Sequence, residues 1–336
     1  MAKVTVLIAA YNAADYLEEC LESLRCQTME DFQAICIDDA STDATWDILK
    51  TYADRDKRFE AIHMSENQGQ AHARNEGLGR AKGDVTCFLD SDDFLSPDAL
   101  EQMVETFEEH EKTDCVLFRL MTCNADGTHP QNYPQQPFQS LSGYDAFRKS
   151  LDWSIHGVYA VRTTIHQRYP YDESALSYSD DNTTRLHYLA SREVRSCGGI
   201  YYYRQHPSSV THRISIRRFD YLRANASMRQ QLLQLDLPKE IVDAYENQRW
   251  LNVVGLYMFY YRNRSSLTAA ERRYGLNEIK KAWKSIETHR LTPRNRFKPG
   301  YAPLHPCWHL FRIEEEIYFF LRTIFRKERE GSDTNA

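Results

Sequence analysis

Asp90, Asp92 and Asp93 place three carboxylates within four positions, directly after Val85-Thr86-Cys87-Phe88-Leu89. That apolar, β-prone run reads as a buried strand. Acids this close repel one another, and such a cluster usually answers to a cation or to the N-terminal end of a helix. Ser96-Pro97-Asp98 has the order of an N-cap, a proline at the first helical position and a first-turn acid. Helix capping alone would therefore account for the cluster. The chemical alternative is a hard divalent cation, which carboxylates hold and which neutralises a diphosphate. No Gly-x-Gly-x-x-Gly follows the first strand and no Gly-x-x-x-x-Gly-Lys-Ser/Thr occurs. Phosphates cradled by a glycine loop are not expected.

The elements around the cluster decide between the two. Val4 to Ala10 is a continuous apolar run broken by Tyr11-Asn12, and a helix follows from about Ala14 to Cys26. Phe32 to Ile37 is a second strand ending in Asp38-Asp39, after which Ser41 or Thr42 is expected to cap a helix. A short strand near Ala61-Ile62-His63 precedes the turn Asn67-Gln68-Gly69-Gln70 and a helix to about Arg80. A helix from about Pro97 to Glu111 and a strand at Cys115 to Phe118 come next. Strand and helix alternate four times in about the first 110 residues. That pattern means a mostly parallel sheet with helices on both faces, an α/β class. Ligands bind such sheets beyond the carboxyl ends of the strands. Tyr11, Asp39, Asn67 and Asp90 to Asp93 all fall there, so a site is favoured over capping alone.

From Thr122 to Ser140 the chain is rich in Pro, Gln and Asn and reads as a connection. A short helix at Tyr144 to Leu151, a strand at Gly157 to Val161 and a helix from Asp180-Asp181 to about Ala190 follow. The aromatic strand Ile200 to Arg204 ends in Gln205-His206-Pro207. This half is expected to add antiparallel strands to the sheet edge. Beyond Ile214 only helical periodicity remains, near Phe219 to Leu235, Lys239 to Tyr261, Ala269 to Glu287 and Trp308 to Phe325.

With 42% hydrophobic and 27% charged residues and a formal charge of −6 over 336 residues, the chain reads as globular, and a nucleic-acid partner is not expected. No secretory signal and no run of about 18 apolar residues is visible. The eight cysteines form no Cys-x-x-Cys pair and read as buried, reduced thiols of a cytoplasmic protein. The last helix has an apolar, aromatic face. Nearby Arg290, Arg294, Arg296, Lys298, Arg322, Arg326 and Lys327 would suit a peripheral contact with an anionic membrane. Glu314-Glu315-Glu316 within it favours packing on the protein instead.

Taken together, Val6 to Asn12, Ile37 to Asp43, Asn67 to Gln70 with Ala73-Arg74-Asn75, and Phe88 to Asp93 resemble glycosyltransferase family 2 in order and spacing. These are inverting, nucleotide-sugar-dependent enzymes of the GT-A fold. The motifs cover about the first 110 residues, and weaker matches run through Tyr202 to His206. The resemblance implies a GT-A catalytic domain over residues 1–215, with a nucleotide-sugar half at 1–120 and an acceptor half at 121–215, followed by a helical region at 216–336. It implies that Asp39 hydrogen-bonds the nucleotide base with Tyr11 beside it, and that Asp38 is the neighbour able to exchange roles. Ala9, Asn67 and Arg74 would line the same pocket. Asp90 and Asp92 form the Asp-x-Asp pair around Ser91, with Asp90 near the ribose and Asp92 on Mg²⁺ or Mn²⁺. His206 is implied as a second metal or diphosphate ligand.

Family members commonly begin the acceptor-side helix with Glu-Asp, the Asp being the general base. Here Asp180-Asp181 stands in its place, so Asp181 is the implied base and Asp180 the alternative if the register slips by one. The implied partners are a nucleotide-sugar donor, a UDP-sugar favoured, and a glycan or lipid-linked glycan acceptor. A nucleotidyltransferase of related topology would present a Gly-rich, basic loop where Ala9-Ala10-Tyr11-Asn12-Ala13 stands. A degenerate nucleotide-sugar-binding or scaffold module is disfavoured by the intact acids.

Overall fold

The computed structural model describes residues 2–135, 137–175, 178–206, 215–297 and 307–332. The chain divides into two compact units, Met1–Arg213 and Ile214–Ala336.

In the first unit β1 (Val4–Ala10) is buried at all seven positions, as a strand covered on both faces must be. Helix α1 (Ala14–Arg25) places Leu17, Cys20, Leu21 and Leu24 on that core. β2 (Phe32–Asp38), α2 (Thr45–Arg55), β3 (Phe59–His63), α3 (Gln70–Leu78) and β4 (Val85–Phe88) complete the alternation. A two-residue β5 (Phe94–Leu95), α4 (Ala99–Glu109) and the long β6 (Thr113–Cys123) follow. Then come β7 (Gln131–Asn132), β8 (Ser140–Ser142), α5 (Gly143–Leu151), β9 (Tyr159–Arg162), α6 (Thr163–Arg168), α7 (Asp180–Ala190) and β10 (Glu193–Arg204).

The sheet runs β3-β2-β1-β4-β9-β6-β10-β5. Strands β1 to β4 are parallel, and β9 is antiparallel to both β4 and β6. β6 and β10 are parallel to one another, so all the long strands deliver their carboxyl ends to one edge. The expectation of antiparallel strands at the sheet edge is thus corrected. β9 lies inside the sheet, where its buried Tyr-Ala-Val is flanked by strands on both sides, and β10 joins in parallel. Among the described residues only β5, β7 and β8 are peripheral antiparallel additions. The register of β10 shifts between Ser196 and Ile200, and there Gly199 lies so close to α4 that a Cβ would fall 2.7 Å from the Ala99 carbonyl oxygen.

Two expected caps are absent because their hydroxyls are engaged elsewhere. Ser41 Oγ accepts from Asn12 N (2.9 Å) and Thr42 N donates to Asn12 Oδ1 (2.8 Å), so both fasten the turn after β1 and α2 starts only at Thr45. Ser96 Oγ accepts from Ile200 N (3.0 Å) and donates to Asp98 Oδ1 (2.8 Å), tying β10 to the start of α4 rather than capping it. All eight cysteines are free, but Cys26 and Cys307 are exposed, contrary to the expectation of burial.

Two neutral histidines brace the elements around β9 and α7. His187 Nε2 donates to the Tyr169 carbonyl (2.8 Å) while its Nδ1 accepts from the Tyr159 hydroxyl (2.7 Å). His156 Nδ1 accepts from Val158 N (3.1 Å). Burial pushes both imidazoles down to about 4. The unfolded chain binds these protons near pH 6.5 and the native chain only near 4, so the stability they contribute is complete above 6.5 and lost as pH falls toward 4. Acids raised by burial, Asp90 and Glu315, act in the opposite sense, so the effect is read by difference: the weakening in urea between pH 7.5 and pH 5.0 is expected to be about 2 kcal/mol larger for the unaltered chain than for His156→Gln. Equal weakening of the two would contradict this.

The second unit comprises α8 (Asp220–Gln234), α9 (Lys239–Asn263), α10 (Ala269–Lys284), the short α11 (Pro293–Arg296) and α12 (Trp308–Ser332). Phe219, Trp250, Tyr257, Ile279, Phe311 and Phe319 form its core. The last helix reaches past Phe325, beyond its expected end, to Ser332. One face of it packs, through Trp308, Phe311, Glu315 and Phe319. No helix among the described residues is long and apolar enough to cross a membrane.

Candidate functional site

The carboxyl ends of β2 and β3 build the first part of the site. Asp38 is fully buried, with Oδ2 2.7 Å from His63 Nδ1 and Oδ1 3.3 Å from Ser41 N. Asp39 accepts from two successive amides, Gln68 N (2.9 Å) and Gly69 N (2.8 Å), and its carbonyl oxygen accepts from Asn67 Nδ2 (3.2 Å). Gly69 has φ +92°, which only glycine adopts freely, and this turns its amide onto Asp39 at the start of α3. The Asn-Gln-Gly-Gln turn expected from sequence is therefore anchored by Asp39 itself. Ala9 lies at the end of β1, and Tyr11, just beyond the strand, is half exposed.

One turn further along α3, Arg74 is buried against the face of Phe88 (4.3 Å from the ring centre) and near Tyr171 (5.3 Å), and it ion-pairs with Asp90. Gln70 Nε2 donates to the same Asp90 oxygen (2.9 Å). Burial raises the Asp90 carboxyl to about 6, with Asp92 and Asp180 adding to the rise and Arg74 opposing it. Asp90, Ser91 and Asp92 form a turn closed by Asp93 N donating to the Asp90 carbonyl (3.0 Å).

Asp93 is a bracket, not a ligand candidate. Its two oxygens accept from Arg204 N and the Tyr201 hydroxyl, both at 2.8 Å, and that hydroxyl also accepts from Asp90 N (3.0 Å). The end of β10 is thereby fastened to the acidic turn. Asp92 is left with a side chain one-third exposed, its Oδ2 2.8 Å from His206 Nε2. The His206 ring lies 4.8 Å from that of Tyr16. Sequence reasoning missed Arg204, which is buried between Tyr16 and Phe94. It donates to the carbonyls of Asp92 (2.8 Å) and Ala125 (2.6 Å) and to Glu19 Oε2 (2.6 Å). Its place in the Tyr202-Tyr203-Arg204-Gln205-His206 match was the available signal, but the sequence does not reveal that it serves backbone oxygens.

Among the described residues no group of three or more His, Cys, Asp and Glu is arranged to hold a metal. Asp92 and His206 converge as a pair, with one carboxylate and one imidazole sharing an edge. That donor set suits a cation completed by phosphate oxygens and water, as Mg²⁺ usually is. A cage made of protein alone would need more.

Across from the acidic turn, α7 opens with Asp180 and Asp181 in its first turn, and the two differ in surroundings. Asp180 is exposed, and its charge is felt at Asp90, Arg74 and Tyr171. Asp181 is only 16% exposed and pairs with Arg185 Nη2 (3.7 Å). It lines a recess with Ser150, Trp153, Ile155, His156, Gly157 and Thr184. The structure thus brings Asp38, Asp39, Asn67, Arg74, Asp90, Asp92, His206 and Asp180 along one sheet edge and directs Asp181 to a separate partner.

Residues 5–169 match the family model described as Glycosyl transferase family 2. The putative glycosyltransferase EpsH of Bacillus subtilis is 33% identical over 226 residues, 65% of each protein. The putative teichuronic acid biosynthesis glycosyltransferase TuaG of the same organism is 37% identical over 44% of this chain and 58% of its own length. The poly(ribitol-phosphate) beta-glucosyltransferase of Bacillus spizizenii is 38% identical over 37% of this chain. The chain thus spans 65, 58 and 20% of the lengths of these relatives. Among solved structures, residues 1–349 of TarS from S. aureus in complex with UDP-GlcNAc superimpose with a TM-score of 0.72 at 19% identity, over 98% of this chain and 92% of that one. A mannosyltransferase of Pyrobaculum calidifontis in complex with GDP-Man and Mn²⁺ gives a TM-score of 0.54 at 19% identity, over 86% of this chain and 82% of that one. The mostly parallel, helix-flanked sheet is the GT-A fold. The N-terminal unit of this chain belongs to glycosyl transferase family 2.

Proposed function

We propose that the chain transfers a sugar, with inversion, from a nucleoside-diphosphate sugar to a hydroxyl of a glycan or lipid-linked glycan. A UDP-sugar is the favoured donor, and the reaction is a cytoplasmic one. The observation that carries this reading is the convergence on one sheet edge of the Asp39-anchored turn, the Arg74–Asp90 pair and the Asp92–His206 pair, with Asp180 facing them. The glycosyltransferase names of the relatives and the UDP-GlcNAc bound in TarS support it.

In this reading Ala9, Tyr11, Asp38, Asp39, Asn67 and Arg74 surround the nucleoside, and Asp90 with Ser91 approaches the ribose. Asp92 and His206 would hold Mg²⁺ or Mn²⁺, whose charge stabilises the negative charge that grows on the departing diphosphate. Asp180 is the general base. It takes the proton of the acceptor hydroxyl as that oxygen's electron pair forms the new bond to the anomeric carbon. The bond from the anomeric carbon to the diphosphate oxygen breaks, and its pair leaves with the nucleoside diphosphate. One displacement inverts the centre, and no carboxylate nucleophile is required. Exposure favours Asp180 over Asp181, which Arg185 already engages.

Thermal denaturation of the purified protein with UDP-, GDP- and dTDP-sugars, with and without Mn²⁺, tests the donor. The UDP-sugar is expected to raise the midpoint by several degrees only when Mn²⁺ is present. Slow release of free UDP, not pyrophosphate, should accompany it. No shift with any donor, or pyrophosphate as the product, would overturn the reading.

A further inference from the structure

The two units differ sharply in charge. Residues 214–336 carry 22 Lys and Arg against 14 Asp and Glu, whereas residues 1–213 carry 20 against 34. The C-terminal unit is therefore a cation of +8 and the catalytic unit an anion of −14, a contrast hidden in the net charge of −6. Within the basic unit, α12 carries a second apolar face. Leu310, Ile313, Ile317, Phe320, Leu321 and Ile324 are 39–56% exposed. At 100° per residue they lie opposite the packed Trp308, Phe311, Glu315 and Phe319. The stripe runs for about 21 Å. Contiguous bulky side chains of this kind on a helix surface mark an interaction site.

Two of the three acids beside the stripe, Glu315 and Glu316, oppose an anionic partner less than the sequence suggests. Glu315 points inward and is fully buried, with no hydrogen-bond partner for either oxygen among the described residues, and burial pushes it up to about 9, which leaves it neutral at pH 7. Glu316 is held by Arg264 (2.6 Å) and by the Tyr257 hydroxyl (3.1 Å). Arg322 is exposed, and Arg326, Lys327 and Arg329 follow in sequence toward the C-terminal end of the helix, where its dipole favours cations.

We propose that the outer stripe of α12 lies in the surface of an anionic lipid bilayer, drawn there by the positive charge of the C-terminal unit. An amphipathic helix binds such a surface through apolar insertion and electrostatic attraction together. This inference goes beyond the sugar chemistry and does not depend on it, and its test reads no sugar transfer.

The test is flotation of the full chain with vesicles of equimolar phosphatidylglycerol and phosphatidylcholine, and with vesicles of phosphatidylcholine alone. Binding is expected on the first and not the second, and it should weaken as NaCl is raised from about 0.1 to about 0.5 M. Ile317→Asn with Phe320→Ser should lower partitioning about tenfold or more. Both residues are over half exposed, so the thermal midpoint should hold. Arg322→Glu, which leaves the stripe intact, should lower partitioning onto the vesicles severalfold. Equal binding to both vesicle types, or flotation unaffected by the paired substitution, would overturn the proposal. A chain that fails to float but sediments as a dimer, split to monomers by the same pair, would assign the stripe to a second copy and overturn it as well.

Discussion

Asp180→Asn is expected to lower sugar transfer by about 10²- to 10⁴-fold, the range a positioned general base supplies. The substitution keeps the size and the hydrogen-bonding reach of the side chain but removes its ability to take a proton. Asp180 is exposed at the start of α7, so nothing in the core depends on it. The thermal shift caused by the UDP-sugar should therefore survive, and the loss should appear in kcat more than in KM. Asp181→Asn separates the two acids of the helix start. Asp181 pairs with Arg185, which is itself buried, so its loss should lower the unfolding midpoint while leaving much of the turnover. A variant series in which Asp181→Asn abolishes transfer and Asp180→Asn does not would reverse the assignment.

The second large effect is expected from Asp92→Ala, with transfer falling at least about 10²-fold as charge stabilisation at the diphosphate is lost. The fold should remain, because Arg204 and Asp93 hold the acidic turn through the Asp92 carbonyl and the β10 backbone, neither of which the substitution removes. The Mn²⁺-dependent part of the donor thermal shift should disappear with the activity. His206→Ala should weaken the same shift less, since one oxygen ligand would remain. Full activity of Asp92→Ala with undiminished dependence on the cation would refute the role of this carboxylate.

Much of this arrangement is legible in the residues because the first half obeys simple periods. β1 and β2 read as unbroken apolar runs and α1 as an amphipathic stripe, so the polar residues that interrupt them mark the strand ends. Asp39, Asn67 and Asp90 to Asp93 meet because those ends share an edge, a consequence of topology that needs no side-chain detail. What stayed hidden depends on long-range pairing. Nothing in Tyr159-Ala160-Val161-Arg162 says that it enters the sheet between β4 and β6, because a four-residue buried strand looks alike at an edge and in the middle. Ser41, Thr42 and Ser96 have the local chemistry of caps, yet each is claimed by a neighbour distant in sequence, Asn12 or Ile200. Of Asp180 and Asp181, the resemblance put Asp181 first as the base and Asp180 second; our proposal reverses that order on exposure, which depends on how α7 meets α5 and the loop after it.

The placement of β9 bears on how the protein comes into being. Strand β4 ends at Phe88 and β6 begins at Thr113, and on each the flank that β9 covers stays open until Tyr159–Arg162 has been made. During synthesis the flanks of two apolar strands therefore wait unpaired for about 40 to 70 residues, a situation that slows folding and invites intermolecular pairing. Asp93 cannot be fastened before β10 supplies Tyr201 and Arg204. Completion of the sheet thus waits for its last strands, and a nascent chain stopped short of β9 is expected to be prone to aggregation.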